Sequence, residues 1–430
     1  MPDDAVAAFL HFGYLPPAEP IPRLLAQVLD ALPVSRPPRP PADEEEVLER
    51  GTAALRSCFA APGAGPHVVP LSAGLDSRAV LGGLLAAGLR EDLVAVTVGT
   101  PGTFDFEIAR RVAAHAGVVH EAIDLTEVSL DAGAMERAVV DSGAASWAFD
   151  VFFHRLIPAR FGPGATYWSG FMGGELAGSH VPAGPEVSWP AAVQRFVSHA
   201  RFCARPQLAP AGFDAGRAMP SQPWAARERL AYGDQLDFGV RQDGYVRRTV
   251  IVEGYDYRTP FLTASWLAFI LSVPLGLRRG EHLFKRLLMA EYPSLFSLPT
   301  KNTAGLPLNT RPARVTAQIR LLKIAAAVRS GSIGRVVKDR RLPVPFRMLN
   351  YLDFPAALRS RPDMRSLVFD LVRALDERGV IGWLSGARLW AEHERAGGDF
   401  DLACALTLLA SLEVNLRADA SRATPFFAQR

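Results

Sequence analysis

The sequence predicts an α/β fold, a parallel sheet wrapped by helices and followed by a mainly helical C-terminal half. Three features predict it. Apolar runs of strand length, HVVP at 67–70 and LVAVTVG at 93–99, alternate with segments of helical apolar density, AVLGGLLAAGL at 79–89 and DFEIARRVAAHAG at 105–117. A third run, HEAIDL at 120–125, completes a repeating strand–helix–strand unit, and runs with so little polar alternation suit strands buried on both faces. Beyond a fourth run, TYWSGF at 166–171, the pattern is helical to the C-terminus, broken by the loops LPTKNTAGLPLNT at 298–310 and RLPVPF at 341–346.

In chain order, the first 34 residues read as an attachment. SRPPRPPADEEE at 35–46, dense in proline and then in acid, reads as a linker before the helix EEVLERGTAALRSCFAA at 45–61. Three divisions follow: an N-terminal stub over 1–45, a sheet-bearing domain over 46–310 and a helical extension over 311–430. Composition narrows the function. An apolar content of 49% excludes wholesale disorder, and a net charge of +3 gives no basis for a nucleic-acid or membrane partner. No apolar run reaches the roughly 18 residues that mark a membrane span. Cys58, Cys203 and Cys404 lie far apart without a CxxC pair, so neither a disulfide framework nor a zinc site is expected, and a cytoplasmic setting fits.

The first strand runs into LSAGLDSR at 71–78, a turn of small and polar residues that opens a helix. Unpaired amides in a first helical turn point at a ligand and carry positive potential, so this turn suits an anion. Ser72 and Ser77 add hydroxyls, and Gly74 allows close backbone approach. The GxxxxGK[ST] pattern of a Walker loop is absent, which implies a different phosphate loop.

LSAGLDSR resembles the SGGLDS pyrophosphate loop of the ATP-pyrophosphatase superfamily. Three further segments narrow the resemblance to the synthetase domain of the asparagine synthetase-like family, related to β-lactam synthetase and lasso-peptide cyclases. They are TFDFEIARRVAAHAGVVHE at 103–121, YDYRTPFL at 255–262 and KRLLMAEYPSLFSLPTKNTAGLP at 285–307. LWAEHERAGGDFDLACALTLLASLEVNL at 389–416 is similar to the family's closing helices.

The resemblance implies ATP and Mg²⁺ as cofactors. It implies attack of a small-molecule or peptide carboxylate on the α-phosphate to give an acyl-adenylate and pyrophosphate, then capture by an amine. Leu71, Ser72, Gly74, Asp76, Ser77, Val98, Gly99 and Gly170 would line the nucleotide. Asp76 would hold the metal, Lys301 would neutralise charge at the reacting phosphate from a loop able to close over substrate, and Asp256 and Lys285 complete the implied catalytic set. Arg258 divides between an ion pair and a substrate contact. Asp105 and His120 read as structural, and Tyr255 and Tyr257 as core or helix-face aromatics.

Departures from the family pattern set further expectations. Ala73 replaces the first glycine of the loop, which is tolerable if its φ is negative. Gly174 stands where the family carries a metal-binding acid, leaving Glu175 as the neighbouring candidate, and Phe171 replaces another acid. Pro2 stands where glutamine-dependent members have a cysteine nucleophile, and the N-terminal stub is similar only to the end of a glutaminase domain. The amine is therefore expected from a substrate, from ammonia, or from a separate ammonia-supplying or carrier protein. Two rivals remain: a sulfur-transfer enzyme, and a degenerate nucleotide-binding partner protein.

Overall fold

The computed structural model describes residues 2–17, 20–32, 44–61, 63, 65–182, 184, 188–204, 207–330, 351–396 and 399–427. Most of the proline-rich linker and the RLPVPF loop lie outside the described residues. Five parallel strands form the sheet: β1 (His67–Pro70), β2 (Leu93–Gly99), β3 (Val119–Asp124), β4 (Thr166–Trp168) and β5 (Asp256–Arg258). Their order is β3-β2-β1-β4-β5. Chain order reverses direction between β1 and β4, and in open α/β sheets the crevice beyond the strand C-termini at such a reversal is where ligands bind.

Side-chain alternation sorts the sheet between two apolar layers. Val69 and Leu71 face one core with Ala95 and Trp168. That core is built from helices α2 (Arg23–Asp30), α3 (Glu44–Ser57), α4 (Asp76–Ala86) and α5 (Phe104–Ala116). Val68, Val96 and Tyr167 face the other side, against Ile157 of α7 (Ala148–Phe161). Beyond α7 a larger core joins α6 (Ala132–Ser142) to the helices Pro362–Arg378 and Phe400–Ala420, the latter almost wholly buried. Burial of both sheet faces explains the continuous apolar runs of β1 and β2.

The N-terminal residues are not peripheral. Helix α1 (Pro2–Phe12) buries Phe9, Leu10 and Phe12 in the larger core beside the helix Phe400–Ala420, while α2 lies in the other. The sequence boundary near residue 45 therefore does not separate one core from another.

Two short strand features interrupt the mainly helical second half. Asp256–Arg258 is an edge strand with both charged residues exposed, too short and polar to show apolar patterning. Tyr255 and Tyr257 consequently flank and join a strand rather than a helix; Tyr257 stacks on Tyr167 with ring centroids 5.0 Å apart. The second is the two-stranded hairpin Pro299–Thr300 with Leu306–Pro307, which holds Lys301. All three cysteines are free thiols. Among the described residues no helix is long and apolar enough to cross a membrane.

Candidate active site

The turn after β1 is held from three directions. The Leu71 amide donates to the Val96 carbonyl (2.7 Å) and the Thr97 hydroxyl to the Leu71 carbonyl (2.9 Å), fixing the turn to β2. Within it, the Ser72 amide donates to Ser77 Oγ (3.1 Å), the two hydroxyls lie 3.1 Å apart, and the Gly74 amide donates to Ser72 Oγ (3.2 Å). The third tie is Asp105, at the start of α5, whose Oδ1 accepts from the Ala73 amide at 2.9 Å. Ala73 is fully buried and outside the left-handed region, so its methyl is accommodated as expected.

The hairpin brings Lys301 to the same turn. The Lys301 amide and the Thr300 hydroxyl both donate to the Ala73 carbonyl, at 3.1 and 2.9 Å, and Lys301 Nζ lies 3.3 Å from Asp105 Oδ1. A Cβ at position 74 would stand 3.3 Å from Ser72 Oγ and 3.4 Å from Lys301 Cε, so the lysine stem packs directly against the turn. The lysine loop, expected to be free to close over substrate, is docked on the phosphate turn. Arg78 fastens its stem: the buried guanidinium donates to the carbonyls of Leu295 (3.1 Å), Leu298 (3.3 Å) and Pro299 (2.7 Å), and burial pulls its pKa down to about 10.

Asp76 meets the loop after β4. A Cβ at Gly170 would come within 2.9 Å of Asp76 Cβ, and one at Gly173 within 2.7 Å of its Oδ1. The glycine run thus leaves room for a carboxylate. Asp76 Oδ1 is enclosed yet has no hydrogen-bond partner. Burial, then repulsion from Glu175 and Glu281, pushes the Asp76 carboxyl well above its usual range, against the pull of the Gly174 amide and Lys301. An enclosed, unpartnered carboxylate oxygen suits a hard cation. Mg²⁺ commonly uses one or two carboxylates plus phosphate oxygens, and among the described residues no set of three or more His, Cys, Asp or Glu is gathered for a metal.

Glu175, in the short helix α8 (Gly173–Leu176), lies near Asp76, but its charged surroundings are Asp237, His180 and Arg241. Burial and then Asp237 push its carboxyl up. His180 is 2.9 Å from Asp237, which raises the imidazole pKa. His180, Asp237 and Arg241 line a cavity of about 390 Å³ together with Arg195 and His199. Ser179, which also lines it, has its Oγ 3.4 Å from where a Gly174 Cβ would stand.

The remaining sequence-derived residues are dispersed. Gly99 lies at the strand end, with Tyr351 close over it, and the neighbouring Thr100 hydroxyl donates to the Tyr351 carbonyl (2.8 Å); Val98 packs into both cores of the α7 side. Asp256 pairs in register with Thr166 at the start of β4, the end of the sheet opposite the phosphate turn. Its carboxylate lies 3.0 Å from Arg258 in an exposed ion pair and accepts from the Thr166 hydroxyl at 3.0 Å. Lys285 donates to the Gly280 carbonyl (2.7 Å) and lies 3.2 Å from Glu281 Oε2. His120 bonds Thr97 (2.9 Å) inside the sheet. Sequence reasoning treated Asp105 as structural and missed Arg78, Thr97 and Glu281; only Asp105 carried a signal, its place at a helix start beside the second strand.

A buried ion pair locks the loop after β4 to the chain near 280. Arg278 Nη1 lies 3.2 Å from Asp234 Oδ2, both nearly inaccessible, and Arg278 Nε donates to the Leu176 carbonyl at 2.8 Å. Arg278→Met is expected to cost about 3–5 kcal/mol, because Asp234 stays buried without its counter-charge. Denaturant unfolding of the two proteins measures it; a loss under about 1 kcal/mol would remove the pair from the site's framework.

Residues 62–145, from just before β1 to just beyond α6, match the family model described as asparagine synthase. This segment holds the turn after β1, Asp105 and the first three strands; Lys301 and the loop after β4 lie outside the matched residues. The match supports an ATP-dependent ligase of the adenylating type. No curated protein matches the chain.

Proposed function

We propose that this protein is an AMP-forming carbon–nitrogen ligase: it activates a carboxylate as an acyl-adenylate with release of pyrophosphate and passes the acyl group to an amine. The observation that carries the reading is the convergence of Asp76, Lys301 and the amides of the phosphate turn at the sheet's switch point. Ser72, Gly74 and Ser77 would cradle the pyrophosphate, and Lys301, held by Asp105, would meet charge growing on the α-phosphate. Mg²⁺ at Asp76 would supply charge neutralisation for the departing pyrophosphate. The cavity beside Ser179, lined by Arg195, Arg241 and His180, offers the carboxylate substrate a seat of the right sign. The amine belongs to that substrate or to a second one.

Sulfur transfer is less well supported, because it needs an activated thiol. Burial pushes Cys58 up to about 11 and Cys404 up to about 12, and raises Cys203 as well, so all three stay protonated in apolar surroundings. The experiment is ATP–pyrophosphate exchange over a panel of carboxylates. Carboxylate-dependent exchange is expected, and none with any carboxylate, in protein that binds ATP, would favour the degenerate-partner reading.

A further inference from the structure

Gly174 removes an acid from the loop after β4, yet the space that acid would use is not empty. A Cβ on Gly174 would stand 3.1 Å from Glu281 Oε1 and 3.3 Å from Asp76 Oδ2, so two carboxylates from distant parts of the chain close on one point. We propose that Glu281 is the second carboxylate of the divalent-cation site, delivered from outside the loop to compensate for Gly174. The inference rests on the adenylation reading for the cation's purpose, but concerns this chain's own residues.

The backbone around Glu281 is built to deliver it. Glu281 has φ 61° and ψ 29°, a left-handed conformation that is strained for a non-glycine residue. Cross-links to the β4 loop hold it there. The Gly280 amide donates to the Gly178 carbonyl (3.1 Å), Arg278 Nε to that of Leu176 (2.8 Å) and Arg279 Nε to that of Pro182 (3.1 Å). A glycine would take this conformation without strain, so what the strain maintains is the acid. Glu281 is 8% exposed, and Lys285 engages Oε2 only, leaving Oε1 toward Gly174. Opposite it stands Asp76 Oδ2, and the other oxygen of that carboxylate, Oδ1, beside Gly173, is enclosed and unpartnered. Two close buried carboxylates repel one another, and a hard divalent cation between them removes the penalty while leaving positions for phosphate and water.

A purely structural Glu281 would serve only its pair with Lys285, and Mn²⁺ binding separates the two roles. Metal-free protein is titrated with Mn²⁺ alone and the free ion counted by electron paramagnetic resonance. Wild type is expected to bind one ion, and Glu281→Gln to bind it at least tenfold more weakly with an unchanged thermal midpoint. Glu281→Gly, which relieves the positive φ, should lose the ion equally while folding at least as stably. Lys285→Ala, which breaks the pair but keeps the acid, should bind Mn²⁺ as tightly as wild type or more so. Wild-type affinity in Glu281→Gln overturns the proposal, as does a loss in Lys285→Ala equal to that in Glu281→Gln. Pyrophosphate exchange by wild type is followed in parallel: exchange with an unaffected Glu281→Gln site overturns Glu281 alone, whereas absent exchange removes the adenylation reading and leaves the Mn²⁺ comparison to decide Glu281.

Discussion

Asp76→Asn is expected to lower pyrophosphate exchange by on the order of a thousandfold or more while making the protein more stable at neutral pH. The two effects share one cause. The Asp76 carboxyl is enclosed and faces Glu175 and Glu281, so its folded pKa lies well above the usual 3.8. A carboxyl raised on folding contributes stability below its unfolded pKa, and loses it as pH rises through the folded value. The fold therefore loses stability as pH rises above the unfolded carboxyl's range, and Asn, which does not titrate, escapes that loss. The advantage of Asp76→Asn in urea midpoint should grow as pH rises above the usual carboxyl value of 3.8. A variant that is inactive but no more stable than wild type at pH 8 would mean that Asp76 is already paired in the folded protein. A variant that retains exchange would remove Asp76 from the site.

Legibility of the sequence followed the range of the interactions. β1, β2 and the turn between β1 and α4 are local: apolar runs set the strands, and Ser72, Gly74 and Ser77 bond mainly to one another and to neighbouring backbone. Their pattern could be read directly. The fold class was legible for the same reason, since burial on both faces leaves its mark in each strand separately. β5 was not, because an edge strand of three residues with exposed Asp256 and Arg258 carries no apolar signature. The site's outer members depend on long-range placement. Arg78 reaches carbonyls more than 200 residues away, and Glu281 reaches Gly174 only because Arg278, Gly280 and Gly178 lock two loops together. Nothing near residue 281 announces an acid facing position 174, so adjacency in sequence favoured Glu175. In space, Glu175 stands between Asp76, whose carboxyl it repels, and the group of His180, Asp237 and Arg241.

Lys301→Ala should slow turnover by about a hundredfold or more, roughly 2.7 kcal/mol at 1.36 kcal/mol per decade, while ATP affinity changes by less than about tenfold. The geometry separates the two quantities. The Lys301 backbone is pinned to the phosphate turn through the Ala73 carbonyl, a contact that truncation of the side chain leaves in place, so the nucleotide's cradle of amides and hydroxyls survives. What is lost is the ammonium, 3.3 Å from Asp105 and about one-third exposed, a charge free to exchange this carboxylate for a phosphate oxygen as negative charge grows there. Its worth is therefore greatest in the transition state. Asp105→Asn provides the complementary test, since it removes the ground-state partner of Lys301 but keeps an acceptor for the Ala73 amide. That variant should lose far less than Lys301→Ala. Single-turnover rates and nucleotide affinity measured on both variants decide the matter: equal losses of binding and turnover in Lys301→Ala would make the lysine a ground-state contact, and a defect in Asp105→Asn as large as that of Lys301→Ala would move the critical role from the ammonium to the ion pair that holds the turn.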